Sequence, residues 1–498
     1  MSQRVKAYTE ACSQAMVRGR KLGVYTIVRI QDKVERQTTA VNGAVDSLAV
    51  EESSGIGVQV ITANGRSGYA SSDVITSENA ERLVEEAVRL AEVSEEYGAD
   101  VVTGIDSMER LITEHFRETP MGLDSISTDE EQRLVVAACR EAMSFDNRIA
   151  CRTAYRIVDE EWRIVRSDGT DAMFNIPRAV CFNMMTARDR DTGKAASVNA
   201  AVSGEDASII ASPAGWDKFA KRTRKSAATA IALLEADGVK AGSYRIVIDY
   251  ALAKGLAHEA FGHSAESDGM DTSILGFNGK FRVDERVASD IVTIVDGSVE
   301  GDYAYQPISA NGVPRRTIGI VKNGVLKYAL ADVFSARKAG VEVTGAGRAE
   351  SYRNVPIPRM SNIRLTVDSP IELRKAFEDV TPEDVRAALG GAGLLPDEGC
   401  VLYLSGYKGG QVNPAKGDFM FNCSAIYELT QSSIRLRQPA IFSGKVLSAL
   451  GSIIAGIGEP IIDAQGTCGK NGQRVPSSGG ANMFLVIEAN QEITIGGV

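Results

Sequence analysis

The chain has 498 residues, 44% of them hydrophobic and 24% charged, with a formal net charge of −10. That length predicts two to four domains, and the hydrophobic fraction is ordinary for a soluble globular protein. The acidic balance argues against non-specific binding to nucleic acid or an anionic membrane surface, and no apolar run approaches the roughly 18 residues needed to cross a bilayer. Seven cysteines, an odd number, are scattered without paired spacing. With no secretory pattern in Met1-Ser2-Gln3-Arg4-Val5-Lys6, they read as reduced thiols of a cytoplasmic protein.

In chain order, Ser2 to Arg20 reads as a helix. Tyr25–Val34, Arg36–Ala40, Ala44–Val50 and Ile56–Ile61 read as an antiparallel meander, punctuated by Asn42-Gly43, Ser53-Ser54-Gly55 and Asn64-Gly65. From Ser77 to Glu96 the period becomes helical. Ala80, Leu83, Val84, Ala87, Leu90 and Ala91 form one apolar stripe, and Thr76 or Ser77 is placed to cap it. Residues 1–122 are thus expected to form a helix-and-antiparallel-sheet domain without a catalytic signature.

Residues 123–240 read as a central α+β region. Thr128-Asp129-Glu130-Glu131 predicts a capped helix to Met143. Strand patterns follow at Cys151–Val158, Trp162–Ser167 and Ala179–Ala187, and then an alanine-rich helix from Trp216 to Ala236. The basic cluster on that helix (Lys218, Lys221, Arg222, Arg224, Lys225) reads, in so acidic a chain, as a solvated face. Residues 241–498 read as a mainly β domain, a sandwich or partly closed barrel. Strands are expected at Tyr244–Asp249, Asp290–Val295, Arg316–Val321, Val325–Leu330, Ile363–Val367, Cys400–Ser405, Phe419–Leu429, Ile434–Arg437 and Met483–Ala489. Short helices are expected at Asp332–Lys338, Ile371–Phe377 and Pro382–Leu389. The fold class is α+β.

The chemistry points to Ala257-His258-Glu259-Ala260-Phe261-Gly262-His263. Two of the three histidines in the chain stand five residues apart here, with a glutamate beside the first. Neutral imidazoles hold zinc, and a carboxylate next to a ligand can take a proton from water activated by the metal. In the familiar spacing of four, both histidines share one helical face. At roughly 100° per residue, five residues turn about 140°, so a regular helix would point the two rings apart. A wide turn of π type restores the alignment. The segment between Glu259 and His263 is therefore expected to be wide or broken, with Gly262 taking up the distortion. A third ligand is offered by Cys468 in Gly466-Thr467-Cys468-Gly469-Lys470-Asn471-Gly472-Gln473, read as a polar loop. His115 is the alternative. Glu266 and Asp268 are placed either to orient the imidazoles or to face solvent.

His258-Glu259-Ala260-Phe261-Gly262-His263 taken with Gly466 to Gln473 resembles the TldD/PmbA family of peptidases, on the side that retains the zinc motif. Ser351 to Asn362, Gly409-Gly410-Gln411-Val412-Asn413 and Gly417-Asp418-Phe419 also match. The likeness is specific over the C-terminal half and looser before it. It implies a zinc peptidase with His258, His263 and Cys468 as ligands and Glu259 as general base, and a dimer with an identical chain or a metal-free paralogue. Two features depart from the family: Phe261 stands where a smaller apolar residue is usual, and Ser264 to Asp268 lacks the usual glycine. Gly409, Gly410, Gln411 and Arg359 are candidates for binding an extended peptide substrate. Two other classes fit the same inventory, a metallohydrolase of small amides and an assembly subunit with structural zinc. Gly345-Ala346-Gly347-Arg348 lacks the residues of a nucleotide-binding loop, and no serine-hydrolase elbow is present.

Overall fold

The computed structural model describes residues 3–96, 101–102, 105 and 108–496. Two sheets organise it. The first has eight strands. Ser67–Ser72, Ala44–Ile61, Tyr25–Val41, Ile149–Arg166, Asp171–Asn175 and Ile112–His115 lie side by side in that order. Arg178–Arg188 also pairs with Ile149–Arg166, and Ala195–Gly204 pairs with Arg178–Arg188. At its centre the expected four-stranded meander is two long strands: Tyr25–Val41 turns through Asn42-Gly43, both at positive φ, into Ala44–Ile61, which runs unbroken through Ser53-Ser54-Gly55, where a turn was expected, because those residues pair with Gln31 to Lys33. The turn at Asn42-Gly43 is the tight one that an Asn-Gly pair favours.

Helices Thr9–Lys21 and Ser77–Glu96 cover Val28, Ile30, Val58 and Val60 on one face. On the other face, Ile27, Ile164 and Phe174 meet Tyr305 and Ile308. Thr76 caps the second helix by accepting the amide of Asn79. Its stripe is buried except for Leu90, 44% exposed, which lies one residue off the line of Ala87 and Ala91. The third helix spans Thr128–Met143, and its cap is Ser127, whose side chain accepts the Glu130 amide; the sequence pattern placed this one residue later. The alanine-rich helix spans Pro213–Leu233, capped by Ser212 with Pro213 in the first turn.

The second sheet has thirteen strands between Ile246 and Ile495. Its order runs Val325–Leu326, Ile318–Lys322, Val292–Gly297, Asn362–Val367, Gln473–Ile487, Ile246–Asp249, Val401–Asn413, Asp418–Leu429, Ile441–Lys445 and Ile493–Ile495, with three further strands attached at its sides. The two ends of this path do not pair, so among the described residues the sheet is open, not a closed barrel. The fold is α+β, a helix-and-sheet N-terminal part joined to a large C-terminal sheet, as expected.

Two predicted helices differ. Ile371–Phe377 is not helical: Ile371 exchanges backbone hydrogen bonds with Gly456 and Gly458, and the chain turns only at the 3₁₀ segment Phe377–Asp379. Asp332–Lys338 is helical only over Ala336–Ala339, because the Asp332 carboxylate takes the amides of Phe334 and Ser335 and holds them in a turn.

Candidate metal centre

Strand Ile246–Asp249 is buried at every residue, as suits a central strand. Asp249 ends it and caps the following helix, Tyr250–Gly255, by accepting the Leu252 amide at 3.0 Å. The helix then widens into a π segment, Leu256–Phe261, and tightens into a 3₁₀ turn, Gly262–Ala265. The wide turn expected from the five-residue spacing is present, and it brings the rings of His258 and His263 to 5.3 Å between centroids, perpendicular to each other. Gly262 does not absorb the distortion in its own backbone, since its φ is an ordinary helical −59°. Glycine is needed there for space: a Cβ would stand 2.1 Å from the Met360 sulfur.

The third residue arrives from the far end of the chain. Gly466–Lys470 is a β-strand and not a loop, folded back on Gln473–Ile487 through Asn471-Gly472 at positive φ. The register puts Cys468 opposite Val475, with its side chain fully buried. Ligand atoms of His258, His263 and Cys468 all lie within 4.8 Å of one another. The Cys468 sulfur is 3.5 Å from His263 Nε2. His115 is elsewhere: it bonds the Tyr305 hydroxyl at 2.6 Å beside the first sheet.

Both ring nitrogens of His258 are buried with no hydrogen-bond partner. An unpartnered buried imidazole is costly, and a cation among these three donors would satisfy it. The donor set, two imidazoles and one sulfur, fits zinc. Burial, and then the positive charge of Lys254, His263, Arg359 and Arg348, hold His258 well below the usual histidine range. It is therefore neutral, as a ligand must be. Burial also lowers His263, but Glu266 and Cys468 outweigh that effect and hold its proton well above the usual range. Metal binding would have to displace that proton.

Glu266 accepts from His263 Nδ1 at 3.0 Å and from Lys470 Nζ at 2.8 Å. Asp268 pairs with Lys470 at 2.6 Å and makes no bond to either imidazole. Of the two acids left open by the sequence, Glu266 is the one that orients a ring. Glu259 keeps 27% of its side chain exposed and stands 3.8 Å from His263 Nε2. Water can reach this carboxylate, whereas that of Glu266 is buried.

Arg359 is fully buried, donating to the Cys468 sulfur at 3.3 Å and to the Cys468 carbonyl. It gives the sulfur a cationic neighbour. Gly409, Gly410 and Gln411 lie at the register shift of strand Val401–Asn413, between Tyr407 and Gly410. Gly409 has φ +95° with open space around its Cα, and Gln411 is exposed.

Sequence reasoning passed over Lys254. It lies four residues before His258, a same-face spacing on a helix, and is 4% exposed, with Nζ donating to Ser477 Oγ at 3.3 Å. It also misread part of the basic cluster. Arg222 is half-buried and paired with Glu378 and Asp463, and Lys225 donates to the carbonyls of Phe377 and Val380.

Two family models match the chain. The PmbA/TldA metallopeptidase C-terminal domain matches residues 241–477, and PmbA/TldA metallopeptidase domain 1 matches residues 27–91. The chain belongs to the PmbA/TldD family of metallopeptidases. A metalloprotease of Methanocaldococcus jannaschii is 25% identical over 469 residues, covering 94% of this chain and 97% of that protein. A zinc metalloprotease TldD homolog of Saccharolobus solfataricus is 28% identical over 264 residues, 52% of each. The crystal structure of TldE from Thermococcus kodakarensis superposes with a TM-score of 0.73 at 15% identity, over 98% of this chain and 100% of that one; this likeness speaks for the fold alone.

Proposed function

We propose that the chain is a zinc-dependent peptidase that hydrolyses peptide bonds in unfolded or flexible chains. The observation that carries this is the convergence of His258, His263 and Cys468 within 4.8 Å, beside the water-accessible carboxylate of Glu259. A structural zinc site normally takes four protein ligands. Among the described residues only these three converge, which favours a catalytic site over a structural one.

Zinc, when bound, supplies a Lewis acid that polarises the scissile carbonyl and makes water more acidic. His258, His263 and Cys468 would hold it. Glu259 takes the proton from the attacking water and passes it to the departing amine. Glu266 fixes the His263 ring through Nδ1, and Arg359 positions the sulfur. The exposed, bulged stretch Gly409-Gly410-Gln411 is suited to a peptide backbone laid alongside it. As the resemblance implies, the chain works as a dimer with an identical chain or a metal-free paralogue. Its free, mostly buried cysteines suit the cytoplasm.

Elemental analysis tests the ligand set. The wild type should carry about one zinc per chain, and Cys468→Ala clearly less. Glu259→Gln should keep zinc and lose peptide cleavage. Equal metal loss in both variants would remove Glu259 from the role of base.

A further inference from the structure

A cavity of about 290 Å³ lies between helix Pro213–Leu233, strand Ala195–Gly204 and the outer part of the second sheet. It is not the metal site, but the two share walls. Lys254 lines it, one helical turn before His258. Ala464 and Gln465 line it, immediately before the strand that carries Cys468. Tyr407 lines it too, with its ring against Gly255, where a Cβ would stand only 2.8 Å away. The Glu259 charge reaches the Tyr407 phenol and adds to the effect of burial in pushing it up.

The rest of the lining is largely aromatic. Tyr403 stacks on Tyr427 with ring centroids 5.4 Å apart, and Tyr250 meets Phe377 edge-on at 4.7 Å. The charged groups divide into committed and uncommitted. Asp249 is taken by the amides of Leu252 and Gly406, and Asp463 by Arg222 and Lys218. Among the described residues Lys225 and Lys254 make no ion pair, although the charges of Asp249 and Glu378 reach the first and that of Glu259 the second: Lys225 donates to two carbonyls while lying over the Phe377 ring at 4.9 Å, and Lys254 donates to one hydroxyl. A chamber of ring faces edged by two ammonium groups attracts another π face, and it offers an incoming cation no carboxylate that lacks a partner.

We propose that this cavity is the subsite for the peptide side chain next to the cleaved bond, and that it selects an aromatic, uncharged residue and excludes lysine and arginine. The occupant's ring lies among Tyr403, Tyr407 and Phe377, and Lys254 stands between the ring and the reacting carbonyl. This assignment rests on the peptidase reading, and the test separates the two.

Unstructured peptides differing only in one central residue (phenylalanine, alanine or lysine) are titrated into zinc-loaded Glu259→Gln protein and, separately, incubated with wild type. Phenylalanine should exceed alanine by about tenfold or more in affinity, as burial of a ring implies, with lysine weakest, and wild-type cleavage should fall beside the phenylalanine. Ala201→Phe and Ser424→Phe, from two different walls, should each bring the phenylalanine-to-alanine ratio to about one. A ratio near one in the unfilled protein, or one unchanged in both filled variants, overturns the subsite. Aromatic-selective binding without Glu259-dependent cleavage leaves the subsite standing and removes the peptidase. Cleavage without aromatic preference does the reverse. Neither binding difference nor cleavage overturns both.

Discussion

Strand Tyr25–Val41 of the first sheet pairs with Ala44–Ile61 on one side and Ile149–Arg166 on the other, with a single register shift between Thr39 and Ala40. Its counterpart in the second sheet, Gln473–Ile487, meets four neighbours, one of them parallel, with two register shifts against Ile453–Ile461 alone. The first arrangement is one that alternation and hairpin turns dictate locally. The second places side chains from distant segments at one point, and the repeating geometry of a sheet or helix is given up where this happens. The π turn, the bulge at Tyr407 and Gly410, and the hairpin carrying Cys468 are all in the second region. Regular backbone makes a scaffold, and departures from it aim the reactive groups.

The contrast can be broken most severely at Gly479, where the backbone has φ +146° and a Cβ would stand 1.9 Å from the Ile363 carbonyl oxygen. Gly479→Ala should cost about 4 kcal/mol, read from the urea midpoint, by wedging apart strands Asn362–Val367 and Gln473–Ile487. A smaller effect is expected from Asp332, whose carboxyl is pushed up to about 6 by complete burial. The folded state holds that proton more tightly than the unfolded one. Its contribution is therefore present below about pH 4 and lost as pH rises through 6, a change of roughly 3 kcal/mol. Asp332→Asn should flatten that part of the stability–pH curve, and an unchanged slope would show that the carboxyl titrates normally.

Glu266→Gln keeps the shape but removes the charge that faces His263 and Lys470. Zinc affinity, measured by chelator competition, should fall about 10- to 100-fold while the first sheet keeps its stability. The gentlest probe belongs to the first sheet. Gly193, at φ +73°, has nothing within 4 Å of where a Cβ would go, so Gly193→Ala should cost only about 1 kcal/mol of backbone strain. A cost equal to that of Gly479→Ala would erase the distinction between the two regions.

The same contrast explains what the sequence discloses. The helices at Ser77 and Thr128 and the Asn42-Gly43 turn are local patterns, legible to within a residue or two, whereas Ser53-Ser54-Gly55 has a turn's composition but is held in mid-strand by its pairing with Gln31 to Lys33. The histidine spacing was legible as well, because a helix has only a few ways to bring residues five apart onto one face. Arg359 was another matter. Its place behind the sulfur depends on a strand 109 residues away, and no periodicity encodes that. Ile371–Phe377 has a helical composition, yet the backbone groups of its first residue, Ile371, are taken by strand Ile453–Ile461. Arg222 and Lys225 were read as solvated from overall charge, because the carboxylates and carbonyls that receive them come from residues 377–380 and 463. Lys254 alone among the omissions left a local trace, its spacing of four from His258.

Strand Gln473–Ile487 also sets a timetable. During synthesis the first sheet has all its strands once residue 204 has emerged. Strand Ile246–Asp249 must wait for partners more than a hundred residues downstream, and Asn362–Val367, already beside Val292–Gly297, waits as long for its second edge to be filled. At about 5–20 residues per second that delay runs to tens of seconds. Meanwhile apolar strands of the second sheet stand with open edges, the condition in which nascent chains need chaperones. Cys468 leaves the ribosome only moments before the strand that buries it, so a half-made chain holds His258 and His263 but not the sulfur that meets them. The cluster of His258, His263 and Cys468 therefore cannot close until the chain has been made past residue 468.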